Sequence, residues 1–261
     1  MFNSLLKEVL FAKGLIHGDT LVLDRWRFIC KYLPVARGVP PNLIDIGCGS
    51  GAFSIGAALL GYNVLGLSWD EINQRKAEAR ARSLGIEGMA EFPIGDARRL
   101  DEIDFGSKKF DYALCMENAE HIIDDQKLLC DIAALLKPGG VLIFSAPYRF
   151  YKAITDGDNG PFACKETGWH VRRGYSKAEV RGLLRSCSLS CEEIGFCSGL
   201  FSQKVTWLLR TLSGAIGYRA AWFVVLPLRP LVFLFDALTL SFWPGYSITV
   251  VAIKPRFSLC E

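Results

Sequence analysis

"NLIDIGCGSGAF", residues 42–53, decides the fold. Leu43, Ile44 and Ile46 form a short apolar run that ends at three closely spaced glycines, Gly47, Gly49 and Gly51. An apolar run bounded by glycine reads as a buried strand. Glycine adopts backbone conformations closed to other residues and lets the chain approach a ligand closely. "AFSIGAALLG" then reads as a helix stopped by Gly61. Strand, glycine loop and helix in this order suit a nucleotide. Gly47, Gly49 and Ala52 also satisfy a dinucleotide fingerprint, and a tight turn without any ligand would use the same glycines.

The pattern continues outward. "NVLGLS" reads as a second strand and "DEINQRKAEARARSLG" as a polar-faced helix ending at Gly85. "AEFPIGDA" and "FDYALCM" read as the third and fourth strands. "DDQKLLCDIAALLKPGG" reads as a helix and "VLIFSAP" as the fifth strand. "SKAEVRGLLRSC" is a helix with Ser176 placed to cap it and Glu179 three residues on. "LSCEEIGFCS" and "YSITVVAIKP" read as the sixth and seventh strands. Alternating strands and helices predict an α/β fold with a doubly wound, mostly parallel, seven-stranded sheet. An apolar helical insertion, residues 199–245, precedes the last strand. Residues 1–35 read as helical, and the domain division is an N-terminal helical segment, 1–41, and a main domain, 42–261. Such sheets bind ligands at the carboxyl ends of their strands, here beside Gly47–Gly51, Ser68, Asp96 and Met116.

The chain has 261 residues, 51% hydrophobic and 22% charged, enough to bury a core. Its net charge of +3 is too small to indicate a nucleic-acid binder. Residues 199–245 hold Lys204, Arg210, Arg219 and Arg229 against the single acid Asp236, so the rest of the chain is neutral. The nine cysteines include no CxxC pair, and reduced thiols in a cytoplasmic compartment are the simpler reading. "MFNSLLKEVLFAKGLIHGDT" lacks the order of a signal peptide. His17 has no motif around it, no cluster has metal-ligand spacing, and no metal is expected.

The chain resembles the class I S-adenosylmethionine-dependent methyltransferases over roughly residues 40–200. "LIDIGCGSG" is similar to the family's glycine motif, and "VLGLSWDEINQRKAEARA" to its second strand and helix. "PIGDARRL", "FDYALCMENAEHIIDD" and "LLKPGGVLIFSAP" are similar to its third, fourth and fifth strand motifs, in the right order. The resemblance implies S-adenosylmethionine as cofactor. Gly47, Cys48, Gly49 and Ser50 would line its methionine end, and Asp45 would orient the loop and reach the amino group. Asp96 would accept from the adenine amine beside the Ala97 backbone. Met116 and His121 would flank the cofactor. One position departs: the acid that usually bridges the ribose hydroxyls is Ser68 here, followed by Trp69, with Asp70 two residues on as a substitute. A hydroxyl offers one donor where a carboxylate accepts from both ribose groups.

The implied chemistry is displacement at the sulfonium methyl, in which holding the reactants in line is the main task. A hydroxyl acceptor benefits from a nearby base. His170, in "GWHVRRGYS", is the first candidate because histidine titrates near neutrality. A structural histidine holding the loop is an equal reading. Glu117 and Glu120 follow the fourth strand, with Glu117 read more as pocket wall or substrate partner. Arg172 and Arg173 stand where a phosphate or carboxylate could be held, or form a solvated basic loop.

"WFVVLPLRPLVFLFDALTLSFW", residues 222–243, is the most apolar stretch. Pro227, Arg229, Pro230 and Asp236 interrupt it, so two short helices bent at Pro227–Pro230 are expected, lying over the substrate opening. They would either form a buried cap or present an apolar face to a membrane or partner. The expected function is methyl transfer, on oxygen, to a small or amphipathic acceptor such as a lipid-linked glycan or an isoprenoid or quinone-like lipid. A cofactor-binding scaffold without transfer activity is the alternative. A nucleic-acid acceptor is disfavoured by the neutral core and the lack of an Asn-Pro-Pro-Tyr-like motif.

Overall fold

The computed structural model describes residues 20–256. The expectations placed on the first 19 residues, including His17, lie outside them. The chain alternates strands β1 (Asn42–Ile46), β2 (Asn63–Leu67), β3 (Ala90–Glu91), β4 (Phe110–Met116), β5 (Leu136–Pro147), β6 (Ser190–Cys197) and β7 (Ser247–Ile253) with helices. The helices are α1 (Thr20–Tyr32), α2 (Ala52–Leu59), α3 (Glu71–Ser83), α4 (Asp125–Leu135), α5 (Lys177–Ser186), α6 (Leu200–Ile216), α7 (Tyr218–Val225) and α8 (Arg229–Thr239). The sheet order is β3-β2-β1-β4-β5-β7-β6. All pairings are parallel except those of β7, which runs antiparallel to both β5 and β6. The order reverses between β1 and β4, which places the open crevice at the ends of those two strands.

Both faces of the sheet are covered, so its strands are apolar on both sides. On one face Leu43, Val64, Leu114 and Ile143 pack under Trp26, Ile29, Phe53, Ile55 and Ala77 of α1, α2 and α3. On the other, Ile44, Ile46, Phe144 and Val250 pack under Leu128, Ile132, Val180 and Leu184 of α4 and α5. Gly56 makes the first layer close: a Cβ there would lie 2.6 Å from the Trp26 ring. Asp70 caps α3, accepting from Asn73 N at 3.0 Å. Ser176 and Glu179 form the expected capping box on α5.

Three details differ from the sequence reading. The third strand is only Ala90–Glu91, extended by a single bridge between Ser68 and Ile94. α4 stops at Leu135, and "LKPGG" joins β5, where Gly139 N donates to Lys254 O just beyond β7 and Lys254 N donates back to Gly140 O. The expectation of uniformly reduced thiols is corrected at one pair. Cys130 on α4 and Cys187 at the end of α5 are joined by a disulfide, because those helices pack with the two Cα atoms 4.6 Å apart. Their separation of 57 residues in sequence hides that proximity.

The insertion between β6 and β7 folds into α6, α7 and α8. The apolar stretch breaks at a short 3-10 turn, Leu226–Leu228, and its two halves are bent by 68°. Among the described residues no single helix is long and apolar enough to cross a membrane, although this bent pair passes by length and composition. The insertion has its own core of Val205, Leu209, Trp222, Val225 and Val232, which packs on Leu23 of α1. Two of its charges point inward. Arg229 pairs with Asp24 of α1 at 2.6 Å. Asp236 accepts from Gly199 N and Phe201 N at 3.0 and 2.8 Å and so holds the start of α6.

Candidate active site

The glycine loop leaves β1 with Gly47 and Gly49 at φ 76° and 52°. Gly47 abuts Asn118: a Cβ there would lie 2.4 Å from the Asn118 Cγ. Gly49 faces open space, with nothing within 4 Å of the position a Cβ would take. Cys48 turns inward, its thiol donating to Gln74 Oε1 at 3.2 Å, so only its backbone can line a ligand. Burial pushes that thiol's pKa well up. The Ser50 carbonyl accepts from Arg80. Beneath the loop Asp45 is 1% exposed and accepts from Ser54 Oγ at 2.6 Å. Burial raises its carboxyl to about 6, against the opposing pull of the Ser54 bond.

Beside the loop lies a cleft of about 310 Å³ lined by Trp69, Asp96, Ala97, Asn118, His121 and Gly168, among others. The structure therefore brings Trp69, Asp96, Ala97 and His121 together as the sequence suggested. Ser68 is buried and accepts from Asp70 N at 3.2 Å, and both Asp70 carboxylate oxygens bond Asn73. Asp70, offered by the sequence as the substitute for an acid at 68, is the cap of α3 with both oxygens engaged by Asn73. Asp96 caps the turn Ala97–Glu102 and is gripped by Arg98, which lowers its pKa. Arg98 reaches on to Glu166 at 3.1 Å, and Glu166 accepts from Ile123 N at 2.6 Å, closing the cleft's rim. Met116 is packed into the core.

Asn118 and the Arg98–Glu166 rim were not foreseen. Asn118 lies within "FDYALCMENAEHIIDD", two residues after Met116, and only its contact with Gly47 singles it out. Its Nδ2 is buried against Gly47 without a hydrogen-bond partner. The open Gly49 face, this unpartnered donor and the cleft's size fit an extended nucleoside with an amino-acid tail.

Glu117 stands at the end of β4 with φ 50°, a conformation rare outside glycine. One carboxylate oxygen accepts from Ser145 Oγ at 3.0 Å and the other meets Arg25 at 2.9 Å. Arg25 also donates to Ser247 Oγ at 3.2 Å. Glu120 is 1% exposed, and burial followed by the Glu117 charge pushes its pKa well up. His121 and His170 meet edge to face with ring centroids 4.7 Å apart. Burial lowers both, His170 to about 4, with the neighbouring His121 charge adding to it. An imidazole held that low is neutral at physiological pH and a weaker proton acceptor than the sequence implied.

His170 faces a second cleft, of about 530 Å³, lined also by Thr155, Asp158, Phe162 and Trp169. The His121–His170 pair is the wall between the two clefts. The expected anion-binding arginines are otherwise engaged. Arg172 pairs with Asp125 and donates to the Ile122 and Ile123 carbonyls at 2.8 Å. Arg173 donates to Tyr151 O at 3.0 Å and lies over its ring. Both are half-buried and anchor the loop through these bonds. Linear spacing gave no reason to expect a metal, yet the fold gathers Glu120, His121 and His170 with ligating atoms within 4.8 Å of one another.

A reversed α/β sheet with a glycine loop, a carboxylate beneath it and a cleft at the switch point defines a class I S-adenosylmethionine-dependent methyltransferase. The model of the methyltransferase domain family matches residues 23–188, and the chain belongs to that family. A ubiquinone biosynthesis O-methyltransferase of Coxiella burnetii is 33% identical over 114 residues, 43% of this chain and 46% of that protein. The match thus spans about half the length of that curated relative. Among solved structures, the [4+2]-cyclase SpnF superposes with a TM-score of 0.61 at 18% identity, covering 92% of this chain and 86% of that one. Geranyl diphosphate C-methyltransferase from Streptomyces coelicolor A3(2), solved with Mg2+, geranyl diphosphate and S-adenosyl-L-homocysteine, gives 0.57 at 16% identity, covering 88% and 77%. At these identities the superpositions show the fold.

Proposed function

We propose that the chain methylates an oxygen of a small or amphipathic acceptor, most simply a quinone-like lipid, with S-adenosylmethionine as donor. The observation that carries this reading is the pair of adjoining clefts that share one wall of His121 and His170. The donor cleft takes the cofactor along Gly47–Gly49, Asn118 and Asp96. When bound, the cofactor supplies an electrophilic methyl on a sulfonium. The second cleft takes the acceptor's headgroup against Phe162 and Trp169, with its hydroxyl turned toward the shared wall. The chain's contribution is to align the two and exclude water, which is worth an effective molarity of about 10⁵–10⁸ M in favourable cases. Glu117, fixed by Arg25 and Ser145, borders the wall from the β4 side.

The acceptor class has two supports: the ubiquinone-pathway O-methylation for which the Coxiella burnetii relative is named, and the insertion's placement. Arg210 of α6 meets Asp158 at 4.0 Å, and Trp243 lies 3.7 Å from Lys152. Both join the insertion to the loop that lines the acceptor cleft. An apolar tail would leave that cleft toward the exposed Phe223, Leu234, Leu238 and Phe242. We place the protein at the cytoplasmic face of a membrane, as a peripheral protein. The test is methyl transfer from labelled S-adenosylmethionine to a series of hydroxylated quinols with short and long tails. Turnover that rises with tail length supports the reading. Tight cofactor binding with no transfer to any quinol or glycolipid would favour the non-catalytic alternative.

A further inference from the structure

We propose that Glu120, His121 and His170 form a binding site for one divalent transition-metal ion of the zinc class, set in the wall between the two clefts. The proposal deepens the methyl-transfer reading, since the ion would face the acceptor's hydroxyl, but the site stands on its own geometry.

Glu120 Oε1 lies 4.0 Å from His121 Nε2 and 3.9 Å from His170 Nε2. Zinc binds imidazole nitrogen at about 2.0–2.1 Å and carboxylate oxygen at about 2.0–2.2 Å. Tetrahedral ligands at those lengths stand roughly 3.4 Å apart. The two Glu–His pairs therefore need to close by about half an ångström, and the two imidazoles, whose ligating atoms lie within 4.8 Å, by as much as their separation requires, which side-chain torsions of a partly exposed loop histidine supply. Two imidazoles and one carboxylate are the donor set of metal sites that keep a position open for a substrate or water.

Independent observations point the same way. Glu120 is a fully buried carboxylate whose second oxygen, Oε2, has no hydrogen-bond partner. A cation held between the three donors would compensate the burial of its ionised form. The segments that carry the donors are fixed to each other. Val171 N donates to Glu120 O at 2.9 Å, and Ala163 N donates to His170 O at 2.9 Å. Tyr175 Oη donates to Ala119 O at 3.1 Å, holding the turn that presents Glu120 and His121. The three donors come from two chain segments 50 residues apart, which is why no spacing motif announces them. The ion's open position would face the acceptor cleft, where it would bind the acceptor's oxygen and favour its deprotonated form.

The probe is Co2+, added to the whole protein after chelator treatment and read by its visible absorption. The expected result is a band that saturates at one equivalent, is displaced by Zn2+, and lacks the near-ultraviolet charge-transfer feature of thiolate ligation. His170→Ala should weaken Co2+ binding by more than about 100-fold, beyond the 10–100-fold typical of an outer-shell change. Glu120→Gln should do the same. Cys164→Ser, which removes an exposed thiol, should leave the spectrum unchanged. Binding of S-adenosylhomocysteine is measured on the same samples to show that each variant is folded. Protein that binds S-adenosylhomocysteine but no Co2+, or whose Co2+ spectrum survives His170→Ala, overturns the metal site and leaves the methyltransferase reading standing. Protein that binds Co2+ as expected but no S-adenosylhomocysteine overturns that reading alone.

Discussion

Gly47 and Gly49 are two residues apart and do different work. Gly47 gives way to Asn118, whereas Gly49 gives way to nothing in the protein. Alanine at 47 should clash with Asn118 and destabilise the fold. Valine at 49 should fold, at a cost of about 1–3 kcal/mol for a β-branched residue at positive φ, yet lose S-adenosylhomocysteine binding in calorimetry. Retained binding in Gly49→Val would remove the loop from the cofactor site. Asp45 gives a pH signature. Its carboxyl is raised from 3.8 to about 6 by burial, so it is ionised at pH 7 and becomes neutral as pH falls through 6. A cofactor ammonium favours the ionised form. Affinity should therefore be flat above pH 6 and fall by up to about tenfold per unit below it. Titrations at pH 5 and 7 that agree would dissociate Asp45 from the ammonium. Asp96→Ala should weaken binding by about 1–3 kcal/mol, part of it through release of Arg98. The glycines, Asp45 and Asp96 are readable because backbone geometry imposes a residue type at fixed spacing. Asn118 and the use of Asp70 as a cap are not, because each depends on what the fold places opposite.

At the level of elements, the order of strands and helices up to β5 follows from their periodicity and glycine stops, while the length of β3 and the start of β5 do not. The insertion does not follow as fully. Its two bent helices are written in Pro227 and Pro230, but their attachment is written in charges that sequence reading places on a surface. Arg229 and Asp24 are 3% and 7% exposed in their side chains and meet at 2.6 Å. Ser198 Oγ donates to the other Asp24 oxygen at 2.8 Å. This buried pair clamps α8 to α1, and α1 to the sheet through Trp26. Removing one partner from a buried pair costs about 3–5 kcal/mol, because the other charge is left unpaired. Arg229→Met and Asp24→Asn should each lower unfolding free energy by that order in urea melts. The double variant should cost less than the two combined. Additive losses would mean that the two charges do not interact. Asp236 is a second case: 37 residues beyond Gly199 in sequence, it receives the amides that open α6. Long-range pairings of this kind have no local sequence signal.

For the whole molecule, the question raised by residues 222–243 becomes one of which face is left uncovered. The inner side of the insertion is filled by its own core and α1. The outer side exposes Phe223 at 75%, Leu234 at 62%, Leu238 at 64% and Phe242 at 72%. Large exposed apolar side chains gathered on one insertion mark a site of lipid or protein contact. The formal excess of +3 in this segment suggests strong attraction to anionic lipid, but the fold reduces it. Arg229 is spent on Asp24 and Arg210 meets Asp158, which leaves Lys204 and Arg219 exposed. At about 1 kcal/mol per cation near an anionic surface, electrostatics contributes on the order of 2 kcal/mol, and apolar contact must supply the rest. Vesicle binding should therefore depend only weakly on salt. The triple variant Phe223→Ser, Leu234→Ser, Phe242→Ser should lose cosedimentation with phosphatidylcholine–phosphatidylglycerol vesicles. Its melting temperature should hold, because exposed substitutions change stability by about 0.5 kcal/mol or less. It should also lose turnover on long-tailed quinols while keeping it on short-tailed ones. Cosedimentation that persists in the triple variant would move the membrane contact off this face. Unmodified protein that ignores vesicles and associates with itself would make the face a contact between copies of the chain.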